Sequence, residues 1–80
     1  MNIYTKPKIL IASGDPLRIS LIQRSLDPVD FDTCSTRFGR NVIELVRTEN
    51  PDLLMMDWKL PDLSGMAITR ILRAAGMDTR

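Results

Sequence analysis

Short apolar runs alternate with amphipathic segments along the chain, and this alternation constrains the fold more than any other feature. Residues 9–12 and 53–56 are apolar at every position, which is typical of parallel strands that are covered on both faces. Between them, residues 31–36 contain aromatic, Thr and Cys side chains that favour extended structure. We therefore predict buried strands at 9–12 and 53–56 and a weaker strand at 31–36.

A helix is expected directly after the first predicted strand. Asp15 and Pro16 form a helix start, because Asp is a favourable N-cap and proline is tolerated at the first helical position. The sequence Asp27-Pro28 ends the helix, since the residue before a proline avoids helical geometry. Its apolar stripe is predicted to consist of Leu17, Ile19, Leu21, Ile22 and Leu26.

Two further helices follow the other strands. The second is expected after a chain break at Gly39, and it ends at Asn50-Pro51. The third begins at Ser64, a favourable N-cap, and ends before Gly76, which stands where a C′ glycine belongs. The predicted core positions of these helices are Val42, Leu45, Val46, Ile68, Ile71, Leu72 and Ala75.

The resulting order, β-α-β-α-β-α, predicts an α/β fold with a parallel sheet, helices on both faces and right-handed crossovers. Ligands of such sheets bind beyond the carboxyl ends of the strands. Ser13, Gly14 and Asp15 follow the first strand, and Asp57 follows the third. If these two strands are neighbours, Asp15 and Asp57 share one mouth of the sheet.

Composition narrows the classes of function. The chain has 80 residues, with 11 Lys and Arg against 10 Asp and Glu, which is an ordinary mix for a single globular domain. It contains no basic stripe for nucleic acid and no apolar run of about 18 residues for a membrane. Cys34 is the only cysteine, so no internal disulfide forms, and we expect a buried thiol in a cytoplasmic protein. The methionines are expected to fill the core.

Two segments, residues 8–17 and 50–65, resemble the receiver domain of two-component response regulators. The second segment is the more specific, because an apolar strand ends at Asp57, with Pro61 four and Gly65 eight residues later. The motif Asp-Trp-x-Leu-Pro resembles that of the response regulators that control transcription through a winged-helix DNA-binding domain. The resemblance implies that residues 1–80 are the N-terminal part of one flavodoxin-like receiver domain, with 1–7 as a flexible lead-in.

The resemblance also implies a site. Asp57 would be the phosphoacceptor, since a carboxylate can act as a nucleophile toward phosphorus. Receivers bind Mg²⁺ through an acidic pair after the first strand, through the phosphoacceptor, and through the backbone carbonyl two residues beyond it. In this chain that carbonyl belongs to Lys59.

The acidic pair is where the sequence departs from the family pattern. Aligning the apolar strand places Ser13 and Gly14 at the pair, which removes both acids. A strand end shifted by one residue would let Asp15 serve as one acid. The predicted metal ligands are therefore Asp15, Asp57 and the Lys59 carbonyl, with weak affinity for Mg²⁺.

Three functions compete on this basis. The first is a receiver that accepts a phosphoryl group on Asp57 from a sensor histidine kinase and controls an output or DNA-binding domain in the parent protein. The second is a degenerate receiver that acts as an interaction or dimerisation module without phosphorylation. The third is a phosphatase of the haloacid-dehalogenase type, which would need a second Asp where Lys59 stands, so we expect no enzyme. The family's fourth and fifth strands do not occur by Arg80, and we expect these 80 residues alone to be either unstable or self-associated through the open third strand.

Overall fold

Three strands and three helices alternate along the chain, as predicted. The computed structural model describes residues 6–26 and 28–76. The elements are β1 (Lys8–Ala12), α1 (Pro16–Ser25), β2 (Asp32–Thr36), α2 (Gly39–Glu49), β3 (Leu53–Met56) and α3 (Gly65–Ala74). Strand β1 begins one residue before the predicted strand, and β2 begins one residue after it.

The strands form one parallel sheet in the order β2-β1-β3. Strand β1 is central, and its Leu10 lies between Cys34 of β2 and Leu54 of β3. Because β1 and β3 are neighbours and parallel, the residues that follow them meet at one edge of the sheet. The sequence left open whether the first and third strands are neighbours, and the observed order makes them so.

Side chains of β1 alternate between two cores, which places helices on both faces of the sheet. Leu10 and Ala12 face one core, which α2 and α3 complete, and Ile9 and Ile11 face the other with Ile19 of α1. This alternation explains why the strand is apolar at every position, because both of its faces are covered. The buried members of the larger core are Leu10, Ala12, Val42, Val46, Leu60, Ile68 and Leu72.

Helix boundaries follow the capping residues that the sequence indicates. The side chain of Asp15 accepts a hydrogen bond from the backbone N–H of Leu17, and Pro16 is the first helical residue. Ser64 caps α3 by accepting from the N–H of Ala67. Asn50 ends α2 in the left-handed conformation, and Gly76 follows α3 with a φ of 74°.

The extent of burial was predicted less well than the elements themselves. Leu17 and Leu21 do not widen the buried stripe of α1, because they are 65% and 53% exposed. Ile71 is likewise exposed, and Ala75 is the C-cap of α3 and exposed. One helix lying on one sheet buries a narrower stripe than the sequence pattern suggests, since only the side chains that point at the sheet lose their contact with water.

Strand β3 is also less buried than predicted. Leu53 and Met55 are exposed, while Leu54 and Met56 pack against the larger core. Within the described residues β3 pairs only with β1, and the face of β3 that carries Leu53 and Met55 belongs to neither core. Met55 therefore does not fill the core. The prediction for Gly39 was also wrong, because this residue begins α2 and does not break the chain before it.

The predicted lead-in and termini are described only in part. Residues 1–5, Asp27 and residues 77–80 lie outside the described residues. The carbonyl of Pro7 accepts a hydrogen bond from the N–H of Asp32, which joins the start of β1 to β2. Cys34 is half-buried with a free thiol. None of the helices among the described residues has the length and apolarity needed to cross a membrane.

Candidate functional site

The carboxyl ends of all three strands are joined by backbone hydrogen bonds. Asp57 is the first residue after β3, and its N–H donates to the carbonyl of Ala12 at the end of β1 over 2.9 Å. The N–H of Ser13 donates to the carbonyl of Thr36 at the end of β2 over 3.1 Å. Asp57 and Ser13 are therefore brought together by the sheet itself, at the shared mouth that was expected if the first and third strands are neighbours.

Both carboxylate oxygens of Asp57 have partners within the chain. The hydroxyl of Ser13 donates to Oδ2 over 2.7 Å, and the guanidinium of Arg18 donates to Oδ1 over the same distance. Ser13 is buried, whereas the side chains of Arg18 and Asp57 are 56% and 21% exposed. The carboxylate is thus held from below by a fixed hydroxyl and from outside by an exposed cation.

These contacts keep Asp57 ionised. Burial by itself would raise the pKa of the Asp57 carboxyl, but the hydrogen bonds from Ser13 and Arg18 and the positive charge of Arg18 outweigh it and lower the pKa. Hydrogen bonds to the charged form stabilise that form. The same pairing raises the pKa of the Arg18 guanidinium, so both partners of this ion pair are charged at neutral pH.

Replacing Ser13 by alanine is expected to destabilise the chain by about 1 to 2 kcal/mol at neutral pH, because a buried charge-assisted hydrogen bond is lost. The folded-state pKa of Asp57 lies below the ordinary value of 3.8, so this stabilisation exists above that value and is lost as the pH falls through the folded pKa. Urea denaturation of wild type and variant between pH 7 and about pH 3 measures the difference. The exposed Ser20 on α1 supplies the control, Ser20→Ala, and a stability gap that widens in acid would contradict the assignment.

The other predicted site residues are differently employed. The carboxylate of Asp15 accepts a hydrogen bond from the N–H of Leu17 and so caps the helix. The backbone N–H of Asp15 donates to the hydroxyl oxygen of Ser13 over 3.1 Å. Lys59 forms an antiparallel bridge with Ser64 in the loop after β3. Their roles as metal ligands remain predictions. In the described part of the chain, no three His, Cys, Asp or Glu side chains form a group suited to a metal ion.

Two residues of this region were missed by the sequence reasoning. Arg18 lies on α1, and only the packing of α1 against β1 brings it to Asp57. Asp62 binds the first backbone N–H groups of α2, from Gly39 over 2.6 Å and from Arg40 over 3.0 Å. The N-cap residue of α2, Phe38, provides no side-chain bond, so the loop after β3 caps a helix that is distant in sequence.

The capping by Asp62 has an electrostatic signature. The hydrogen bond from the Arg40 N–H lowers the pKa of the Asp62 carboxyl, burial opposes it, and the bond from the Gly39 N–H adds to the lowering. An anion at the N-terminus of a helix is favourable, because unpaired N–H groups and the helix dipole point at it. The loop that follows Asp57 is thereby attached to α2.

An open groove of about 470 Å³ adjoins Asp57 on the side of α3. Its walls combine apolar and cationic side chains. They are formed by Met56, Asp57, Trp58, Gly65, Met66, Thr69, Arg70 and Arg73. The groove therefore offers an anionic group an approach to the carboxylate.

The chain forms an open parallel α/β sheet with a carboxylate at the carboxyl end of the edge strand β3. Comparison with known proteins identifies its family. Residues 9–80 match the model of the response regulator receiver domain. The chain belongs to this family, and its fold is the flavodoxin-like fold of receivers. Receiver domains are signalling modules and not enzymes, which removes the phosphatase from consideration.

Relatives and solved structures agree with this assignment. The chain is 31% identical over 65 residues to the polar-differentiation response regulator DivK of Brucella ovis, covering 81% of the chain but 53% of that protein. It is similar to the receiver domain of the Francisella response regulator 1452, with a TM-score of 0.85, 30% identity and coverage of 92% of the chain and 61% of that domain. It is also similar to the BeF₃-activated receiver domain of Klebsiella pneumoniae RstA, with a TM-score of 0.77 and 34% identity, covering 84% of the chain and 57% of that domain. The chain thus spans about half the length of the Brucella relative.

Proposed function

We propose that this chain is the receiver part of a response regulator and that Asp57 accepts a phosphoryl group from a sensor histidine kinase. The observation that carries the proposal is the Asp57 carboxylate, which lies at the joined ends of β1 and β3, is ionised, and is 21% exposed. A carboxylate must be charged and accessible to act as a nucleophile. Asp57 meets both conditions.

The two carboxylate oxygens have different freedom to react. Ser13, the partner of Oδ2, is buried, whereas Arg18, the partner of Oδ1, is exposed. Oδ1 is therefore the oxygen that is freed by a side-chain movement alone. It forms a bond to phosphorus while the bond from phosphorus to the donor's leaving group breaks, and the leaving group takes the electron pair. The product is an aspartyl phosphate.

The proposed partners follow from the site and from the family. A phosphohistidine of the kinase carries the anionic group that the groove beside Asp57 admits, where Arg70 and Arg73 supply positive charge. An output domain in the parent protein, one that controls transcription, would receive the signal. The free thiol of Cys34 fits a cytoplasmic location.

Incubating the full chain with acetyl phosphate tests the proposal. We expect a mass increase of one phosphoryl group in wild type and complete loss of it in Asp57→Asn, because the amide is not a nucleophile toward phosphorus. Intact-mass spectrometry measures both. The control is Asp30→Asn, which removes an equivalent charge from an exposed turn. Labelling that persists in Asp57→Asn would assign the phosphoryl group to another residue.

A second candidate function is a phosphorylation-independent interaction or dimerisation module. It is favoured by the side chains of Leu53 and Met55, which are exposed on the edge strand β3, because open edges pair with other strands. Sedimentation of the full chain distinguishes the two candidates. A wild type that takes no label from acetyl phosphate or a kinase, yet self-associates, would favour the second.

A further inference from the structure

The Asp57 site already contains a cation, and it belongs to the chain. The Arg18 guanidinium lies 2.7 Å from Oδ1 of Asp57, and the Ser13 hydroxyl satisfies Oδ2. Mg²⁺ is held in phosphoryl-transfer sites by one or two carboxylates together with phosphate oxygens and waters. Any such ion at Asp57 would compete with a guanidinium for the same oxygen.

The side chains around Asp57 do not fit Mg²⁺. The Ser13 hydroxyl directs its proton to Asp57, because that contact is 2.7 Å and its alternative, to the carbonyl of Asp15, is 3.4 Å. Gly14 has no side chain, and Oδ1 of Asp15 accepts the N–H of Leu17 as the helix cap. In the part of the chain that the structure describes, Asp57 remains as the one carboxylate at the carboxyl ends of the strands without a backbone partner for its side chain.

The position of Arg18 is set by the fold. The cap at Asp15 fixes where α1 begins, and Ile19, the next residue after Arg18, is buried against β1. These anchors hold the backbone of Arg18 beside the end of β1. A guanidinium is planar, permanently charged and matched in geometry to both carboxylate and phosphoryl oxygens. Arg18 therefore suits the oxygen it binds now and the phosphoryl group that would follow.

We propose that Arg18 takes the place of the divalent cation in this receiver, so that the Asp57 site binds and accepts a phosphoryl group without Mg²⁺. The first part of the proposal, that Arg18 replaces the metal ion, does not depend on phosphorylation. The second part, that Asp57 accepts a phosphoryl group without Mg²⁺, rests on the proposed function. On phosphorylation the guanidinium N–H groups pass from Oδ1 to the oxygens of the phosphoryl group. Arg18 thus neutralises the charge that a metal would otherwise offset.

Metal binding is tested first, without any phosphoryl donor. MgCl₂ is titrated into the full chain in a calorimeter, with Trp58 fluorescence and the melting temperature followed in parallel. Wild type is expected to show no saturable response in the millimolar range. The variant Ser13→Asp/Arg18→Met, which restores an acid and removes the cation, is expected to bind Mg²⁺ and to melt at a higher temperature with it, since ligand binding stabilises the folded state. A saturable wild-type response that disappears in Asp57→Asn overturns the proposal.

The acid is restored at Ser13 rather than at Gly14 for a steric reason. A Cβ atom at Gly14 would lie 3.1 Å from Cδ and 3.2 Å from Cγ of Pro61, so Gly14→Asp would displace the loop after β3. Ser13 already directs its side chain at Asp57. An aspartate there places its carboxylate toward the same point.

Phosphoryl acceptance is tested second, with acetyl phosphate in the presence of EDTA or Mg²⁺. Wild type is expected to be labelled at the same rate in both, and Arg18→Met to lose about a hundredfold in rate, the lower end of the loss caused by removing one donor that stabilises developing charge. Arg18→Lys keeps the charge and is expected to lose less. Labelling of wild type that requires Mg²⁺ overturns the proposal while leaving the proposed function intact. Absence of labelling under every condition contradicts the proposed function, and the metal titration then decides the role of Arg18.

A matched control separates the role of Arg18 from a general loss of charge. Arg24 lies in the last turn of the same helix and is exposed. Arg24→Met removes the same charge from α1 at the end remote from Asp57. It is expected to leave the labelling rate and the response to Mg²⁺ as in wild type, and a loss equal to that of Arg18→Met would overturn the specific role of Arg18.

Discussion

Replacing Leu10 by alanine is expected to destabilise the fold by about 3 to 5 kcal/mol, because a fully buried leucine leaves both lost contacts and a cavity. Leu10 is 0% exposed in the central strand, and it packs in the larger core with Val42, Val46, Ile68 and Leu72. A domain of this size has a total stability of about 5 to 15 kcal/mol. The substitution therefore removes a large share of the free energy of unfolding.

Urea denaturation of the full chain, followed by circular dichroism, measures the effect as a shift of the midpoint. The matched control is Leu17→Ala, since Leu17 is 65% exposed on α1, and its expected cost is below about 0.5 kcal/mol. Equal costs at the two positions would show that the core is not arranged as described. A variant at Leu10 that does not fold at all agrees with the expectation when Leu17→Ala folds normally.

Replacing Gly39 by alanine is expected to destabilise the fold by about 1 to 3 kcal/mol through overpacking. A Cβ atom at Gly39 would lie 2.7 Å from Cδ1 of Ile68 and 2.9 Å from Cβ of Leu63. Helix propensity predicts the opposite sign, a gain of up to about 1 kcal/mol for alanine. Packing outweighs it here, because Cβ of Leu63 is fixed to the backbone and cannot rotate away. The displacement also disturbs the bond from the Gly39 N–H to Asp62.

A double-mutant cycle tests the cause of the Gly39 effect. Ile68→Val removes the Cδ1 atom that lies nearest to the added methyl group, while the contact with Leu63 remains. The cost of Gly39→Ala is therefore expected to fall by about 0.5 to 1 kcal/mol in the Ile68→Val background. Denaturation midpoints of the four proteins give the coupling. Strict additivity would mean that the two side chains do not meet, and a stabilising Gly39→Ala would mean that propensity prevails.

Local features of the fold were predictable because their causes are local. The apolar residues 9–12 and the caps at Asp15 and Ser64 act within one strand or one helical turn. Burial was less predictable, as Leu53 and Met55 show. Their exposure depends on whether a helix covers their face of β3, and a run of apolar residues carries no information about its neighbours.

The candidate site divides in the same way. The positions of Asp57 and Ser13 at strand ends follow from the pattern of apolar runs, and the absence of an acidic pair is visible in the residues themselves. The hydrogen-bond partners of these residues cannot be predicted from the sequence. Ser13 and Asp57 are 44 residues apart in the chain, and Arg18 and Asp57 are 39 apart, so only the pairing of β1 with β3 and the packing of α1 bring them together.

The sequence alone determined the order of the elements, their caps and the position of the Asp57 carboxylate at the end of a strand, since each depends on residues that are close in the chain. Tertiary structure decided what surrounds that carboxylate. Parallel pairing of β1 with β3 places Ser13 under Asp57, and the packing of Ile19 places Arg18 above it. Charge balance in a site depends on distances through space, and for this reason the cation at Asp57 became visible only in the folded chain.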